Sequence, residues 1–278
     1  MRHTAEFGSK IARSGFKNEQ DVINKFNNWK ADVHAQKWLI AMEYDLKKIE
    51  SVEAISGSEA KKRLISEGMR FDSGNVKTDV KVIVTIYFKN SSEPQNISVK
   101  LVTVRHTNSR NNHTGFNQID KRRVEKYRQL WSMPENIEKT FKYFTGELPP
   151  YKPNTKDNRR MFFNEMDEPS VTELLEFITT KKVLIITDIL KGRGALSVEW
   201  VLVALNITKD DIIIDTMWTF KSINEVINHY SNGVVCISPR GSLNIARISA
   251  QRKGGDGGRE TAKMLQFKFD PLELLYID

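Results

Sequence analysis

The chain holds a single cysteine, Cys236, among 278 residues. One thiol cannot close an intrachain disulfide, and it leaves no cysteine cluster for a structural zinc site. No apolar run approaches the roughly 18 residues that a membrane span requires, so a membrane partner is not expected. The opening residues, MRHTAEFGSKIARSGFKNEQ, lack the apolar core of a secretory signal. These absences point to a cytoplasmic, reducing setting. No internal repeat and no low-complexity tract is present.

What the chain has is positive charge. Lys and Arg outnumber Asp and Glu by 43 to 35, a net charge of +8, and the distribution says more than the total. Between Arg105 and Arg128 seven basic residues face two acids, interleaved with Asn, His, Gln and Gly. A second basic run, QRKGGDGGRETAK, spans 251–263. Two basic, loop-rich segments favour a polyanionic partner. Charge alone leaves open the plainer reading of solvated faces and flexible loops.

Periodicity divides the chain. Residues 9–29 read as a helix with Val22, Ile23, Phe26 and Trp29 on its core stripe, and 34–49 as a second helix. Glu19 shares the stripe of the first. A carboxylate there needs a partner or a purpose, although a first-turn Glu favoured by the helix dipole is an equal reading. A short helix fits the middle of the polar stretch that follows. The period then falls to two, with Val80, Val82, Val84, Ile86 and Phe88 marking a strand. KNSSEPQ reads as a turn, and 96–104 as the next strand. Helical spacing returns over 120–131 through Val124, Tyr127 and Trp131. GELPPYKPNTKDNRR (146–160) holds three of the eight prolines and reads as a boundary between lobes, 1–145 and 146–278. Beyond it are expected a helix at 170–180, a buried-type strand Val183–Thr187, the turn KGRG, a strand Val198–Asn206 and a helix near 222–230. Short strands around Val234, Ile245 and Leu265 complete a mixed α/β fold.

The pattern with chemical content is an aspartate at a strand start followed by small-x-Lys on the next strand. Asp79 opens the first strand, and Ser98-Val99-Lys100 lies in the second, after eighteen intervening residues. Alternation puts Ser98 and Lys100 on one face. Phosphodiester hydrolysis uses such groups: a carboxylate to hold Mg²⁺ against the phosphate, and a cation to position water and offset developing charge. Mg²⁺ prefers one or two carboxylates with other oxygens, so Asp79, the Val99 carbonyl and DNA would suffice. The bare pattern also fits an Asp in a turn and a strand Lys reaching solvent. A tight turn at 89–95 is expected to place Lys100 near Val84, so that Asp79 and Lys100 meet only through a bent or offset pairing.

GSKIARSGFKNEQ, SVKLV, GFNQIDK, FTGELPPY, NTKDNRRMF, ITDILKGRG, EWVLVA, INEV, SPRGS and QRKGGDGGRETAKMLQFKFDP run nearly end to end. In them the chain resembles the HinP-type restriction endonucleases, which cut GCGC, within the PD-(D/E)XK nuclease superfamily, with a looser likeness to the enzyme that cuts CCGG. The resemblance implies a restriction-endonuclease-like mixed sheet flanked by helices and a C-terminal α+β DNA-recognition lobe. It implies a bacterial type II enzyme that uses Mg²⁺ on double-stranded DNA and has a cognate methyltransferase as its genetic companion. Water would attack in line, leaving a 5′ phosphate and a 3′ hydroxyl. Asp79 would be the metal-binding aspartate, Lys100 the catalytic lysine and Glu19 the acidic residue of the first helix. Thr78 stands where the family has Ser, and Ser98 where it has Gln two residues before the lysine. The chain is also longer just before Asp79 and around 106–114.

For DNA reading, Arg or Lys suits the O6/N7 edge of guanine, and Asn or Gln suits adenine or mixed edges. The resemblance singles out Asn117, Gln118 and Lys121, then Arg240, Ser242, Asn244, Arg252, Lys253, Arg259 and Lys268. The plainer reading of each, and the favoured one for any single Lys or Arg, is a phosphate contact that positions without specifying. Phe116, in a Gly-flanked polar loop, is either a wedge between bases or a core residue. His106 and His113 read as surface residues. A non-catalytic DNA-binding protein is the first alternative, because Ser98 replaces a longer side chain, and an RNA-binding or structural basic protein is the second.

Overall fold

The computed structural model describes residues 17–68, 81–105, 117–210, 212–253 and 260–277. A first helix, α1 (17–27), buries Val22, Ile23 and Phe26. Asp32 then caps α2 (Val33–Ala41) by accepting from the amides of His34 and Ala35. The helix expected to reach residue 49 stops at Ala41, because Glu43 adopts a φ of 67°. Next come β1 (Ser51–Ser56), α3 (Gly57–Ser66), β2 (Val82–Phe88) and β3 (Ser91–Arg105).

The turn between β2 and β3 is shorter than expected. Phe88 pairs with Ser91, leaving only Lys89 and Asn90 in the turn, so most of KNSSEPQ is strand. Pro94 is tolerated there because β3 gains its second neighbour, β5, only from Ile97 onward. The same register pairs Val84 with Gln95, which corrects the expected proximity of Lys100 to Val84.

After β4 (Asn117–Arg122), the helices α4 (Val124–Trp131), α5 (Glu135–Thr145) and α6 (Glu168–Leu190) lead to β5 (Trp200–Lys209) and β6 (Ile212–Ser222). The first sheet has the order β1-β2-β3-β5-β6, with β3 and β5 parallel and every other pair antiparallel. One face packs Val82, Val84, Ile86, Ile97, Val99 and Leu202 against Phe26, Trp38 and Leu39 of α1 and α2. The other places Ile83, Val102, Val201 and Val203 in the larger core with α4, α5 and α6. Both faces are covered, which is why Val201 to Leu205 form an unbroken buried run.

The second sheet is antiparallel, in the order β4-β10-β9-β8-β7. It is built from β4 together with β7 (Val235–Ile237), β8 (Leu243–Ile245), β9 (Ile248–Arg252) and β10 (Leu265–Phe269), with α7 (Ile223–Ser231) between the sheets in sequence. β5 and β6 complete the first sheet while β4 joins the second, so the two sheets do not divide at 145/146.

Two further elements differ from expectation. Val183–Thr187 is not a strand but part of the C-terminal half of α6. There Ile185, Ile186, Ile189 and Leu190 are buried at helical spacing while Val183 and Leu184 are exposed. Asn117–Arg122 is a strand, and helix begins only at Val124, with Val124, Tyr127 and Trp131 buried as expected.

Candidate active site and polar sheet face

β3 carries the Ser-x-Lys group. Ser98 and Lys100 pair across the parallel ladder with Val201 and Val203, so they share the face directed at the larger core, and both are buried. The Lys100 ammonium lies 5.8 Å from the centre of the Phe269 ring on β10, which ties this point of the first sheet to the second. Val99 points the other way, into the core under α1 and α2.

The start of β2 meets β3 beside this group. The Lys81 amide donates to the Ile97 carbonyl at 2.9 Å. Successive carbonyls of a strand alternate between its two edges, so the Val99 carbonyl is directed to the same edge as that of Ile97. Glu19 of α1 forms an ion pair with Lys81 at 3.5 Å. The helix carboxylate therefore does have a partner, at the point where the chain enters β2. Asp79 lies outside the described residues, two positions before Lys81.

Among the described residues no three His, Cys, Asp or Glu side chains gather as a metal site. On β3 the oxygen donors adjoining Lys100 in the strand are the Ser98 hydroxyl and the Val99 carbonyl, and Glu19 reaches the entry to β2 through Lys81. Hard oxygen donors of this kind suit Mg²⁺ rather than a soft metal.

The second sheet has one apolar and one polar face. Leu243, Ile245, Ile248, Ala250, Leu265, Phe267 and Phe269 enter the core. On the other face the register sets Gln118 beside Lys268, Lys268 beside Ser249, and Ser249 beside Asn244. These residues form a polar row across four strands. A second row runs from Lys121 through Gln266 to Gln251. Gln118 and Lys121 are three residues apart and would fall on opposite faces of a regular strand. A bulge between Phe267 and Lys268 in the ladder register inserts Ile119 and realigns them. Ile119 and Asp120 are consequently both buried, and Asp120 is paired with Arg122 at 3.2 Å.

The structure thus brings together Gln118, Lys121, Asn244 and Lys268 from distant segments. It adds Ser249, Gln251 and Gln266, which were not singled out from sequence. The period-two alternation in ISAQR and LQFKF, apolar residues separated by Ser, Gln and Lys, was the signal for them. Asn117 is the partner of Phe269, at the end of the same ladder. Arg240 is exposed in the turn 238–242, which ends at Ser242, whose amide donates to the Ser238 hydroxyl at 3.1 Å. Arg252 is directed away from the row, its Nε donating to the Thr145 carbonyl at 2.8 Å. The Lys253 amide donates to the Met264 carbonyl. Phe116 and Arg259 lie outside the described residues.

The architecture, two sheets joined through helices, is that of a restriction endonuclease. The solved structure of restriction endonuclease MspI in complex with its cognate DNA aligns with a TM-score of 0.54 over 96% of this chain and 99% of that one, at 13% identity. Residues 42–275 match the R.HinP1I restriction endonuclease family, and the chain belongs to that family. It is accordingly a type II site-specific deoxyribonuclease. No curated protein matches the sequence. Among the described residues no helix is long and apolar enough to cross a membrane.

Proposed function

We propose that the chain hydrolyses phosphodiester bonds of double-stranded DNA at a short GC-rich palindrome, GCGC, with Mg²⁺, through a PD-(D/E)XK-type centre at the β2–β3 edge. The observation that carries this reading is that Ser98 and Lys100 share a face of β3 beside the point where the chain enters β2, where Lys81 is paired with Glu19 of α1. Asp79 precedes Lys81 by two residues, and Lys100 follows Ile97, the acceptor of the Lys81 amide, by three.

Asp79 and the Val99 carbonyl would hold the metal. When bound, Mg²⁺ offsets charge on the scissile phosphate and acidifies water. The Lys100 ammonium positions the attacking water and offsets charge that develops on the phosphate. The Ser98 hydroxyl is short and acts through a hydrogen-bonded water. Glu19 orders the entry to β2 through Lys81.

The polar face of the second sheet is the reading surface. Lys121 and Lys268 are suited to the O6/N7 edge of guanine, and Gln118, Gln251 and Asn244 to amino and keto edges. Arg240, Ser242, Lys253 and Arg259 extend this surface, Asn117 leads into it, and Phe116 is the wedge. MspI was solved with its cognate DNA, which supports DNA as the partner here. A cognate methyltransferase would protect the host sites.

Digesting plasmid with purified protein and Mg²⁺, then sequencing the ends, tests the reading. Discrete fragments with 5′ phosphates at GCGC support it. Intact plasmid under conditions of specific binding would favour a DNA-binding protein without catalysis.

A further inference from the structure

A charged groove lies apart from both the β2–β3 edge and the polar rows of the second sheet. Thr155, Lys156, Asp157, Asn158, Arg159 and Phe162 line an open groove of about 830 Å³. Arg159 forks onto Asp157, its Nε and Nη2 reaching the two carboxylate oxygens at 2.8 and 3.0 Å. These bonds hold the Asp157 carboxyl down at about 2. The Arg159 side chain is still 61% exposed. Lys156 is exposed at the rim, its ammonium 5.8 Å from the Phe162 ring. Arg160 stacks beneath, 4.2 Å from the same ring.

The groove is fastened to the Arg240 turn on one side and to the end of α5, which Arg252 holds, on the other. The Phe163 amide donates to the Gly241 carbonyl at 3.1 Å, and the Asn164 side chain donates to the Pro239 carbonyl at 3.2 Å. Gly241 has a φ of +81°, and a Cβ there would stand 2.6 Å from the Phe162 Cβ, so the Arg240 turn sits directly on the wall of the groove. On the other side Arg252 holds the Thr145 carbonyl, and a Cβ on Gly146 would meet the Arg159 carbonyl at 2.7 Å.

We infer that Lys156 and Arg159 form a phosphate-binding site that grips the DNA backbone beside the recognition sequence. The inference rests on the proposed DNA-cleaving function. A guanidinium that grips a carboxylate bidentately has the geometry to grip a phosphate, and Asp157 occupies that fork until DNA displaces it. Phosphate contacts fix register without reading sequence, so this site tightens binding to every duplex alike.

The test is fluorescence anisotropy of a GCGC duplex and a scrambled duplex across a KCl series, without divalent metal. The proteins compared are the wild type, Lys156→Ala, Arg159→Ala, the double variant and Asp157→Asn, with thermal melting run beside each. The double variant should bind both duplexes more weakly by the same factor. Each lost contact should lower the slope of log affinity against log salt by about 0.9. Asp157→Asn, which frees the fork, should bind both duplexes more tightly. Wild-type binding with unchanged slopes in every variant overturns this site and leaves the proposed function standing. Absence of duplex binding by the wild type overturns both.

Discussion

Gln118 of β4 and Lys268 of β10 are register partners, although 150 positions separate them in sequence. Their pairing sets both side chains in one polar row on the second sheet. If that face reads DNA, Lys268→Ala and Gln118→Ala should each lose discrimination at one base position by about 1–3 kcal/mol. Competition binding against single-base variants of the site measures this. A uniform loss across all variants would instead mark phosphate contacts.

Ser98 is buried beside Lys100. If it acts through water as proposed, it should be replaceable at moderate cost, with Ser98→Ala slowing single-turnover cleavage roughly tenfold, about 1.4 kcal/mol of barrier. Ser98→Gln, which introduces the residue that the resemblance implies at this position, should be active. An inactive Ser98→Ala of unchanged melting temperature would show that the hydroxyl has a more direct role.

Phe116 follows the segment 106–115 and immediately precedes β4. As a wedge it would unstack a base step at a cost of a few kcal/mol, recovered through wider contact. Phe116→Ala should then leave thermal stability nearly unchanged while reducing DNA bending and cleavage together. A loss of about 3–5 kcal/mol in stability would identify it as a core residue instead.

Trp131 provides a contrasting prediction for the scaffold. It is fully buried, stacks on Tyr127 at 4.7 Å between ring centres, and donates its indole N–H to Asp188 of α6 at 3.1 Å. Trp131→Ala should destabilise the fold by about 3–5 kcal/mol, measured by denaturant unfolding. A smaller effect would mean that α4 and α6 are held together by other contacts.

Much of this was legible in sequence, for physical reasons. Alternation placed Ser98 and Lys100 on one face, and helical spacing picked out Val124, Tyr127 and Trp131. Val183–Thr187 misled because its β-branched run fits a helical turn as well as a strand, and tertiary burial of Ile185 and Ile186 decided between them. β6 was missed because Ile212, Ile213 and Ile214 are apolar yet all exposed, which gives no alternation. The position of Lys100 was misjudged because the turn after β2 is only two residues long. Nothing local foretold that Gln118 and Lys121 share a face, because the bulge at Ile119 is defined by pairing with β10.

The central claim is that hydrolysis occurs at the β2–β3 edge. It is tested most directly by single-turnover cleavage of a GCGC duplex by Asp79→Ala and Lys100→Ala, with duplex affinity and melting temperature measured on the same preparations. The account predicts that both variants remain folded and bind the site, and that neither cuts. Cleavage by either at near the wild-type rate would contradict it.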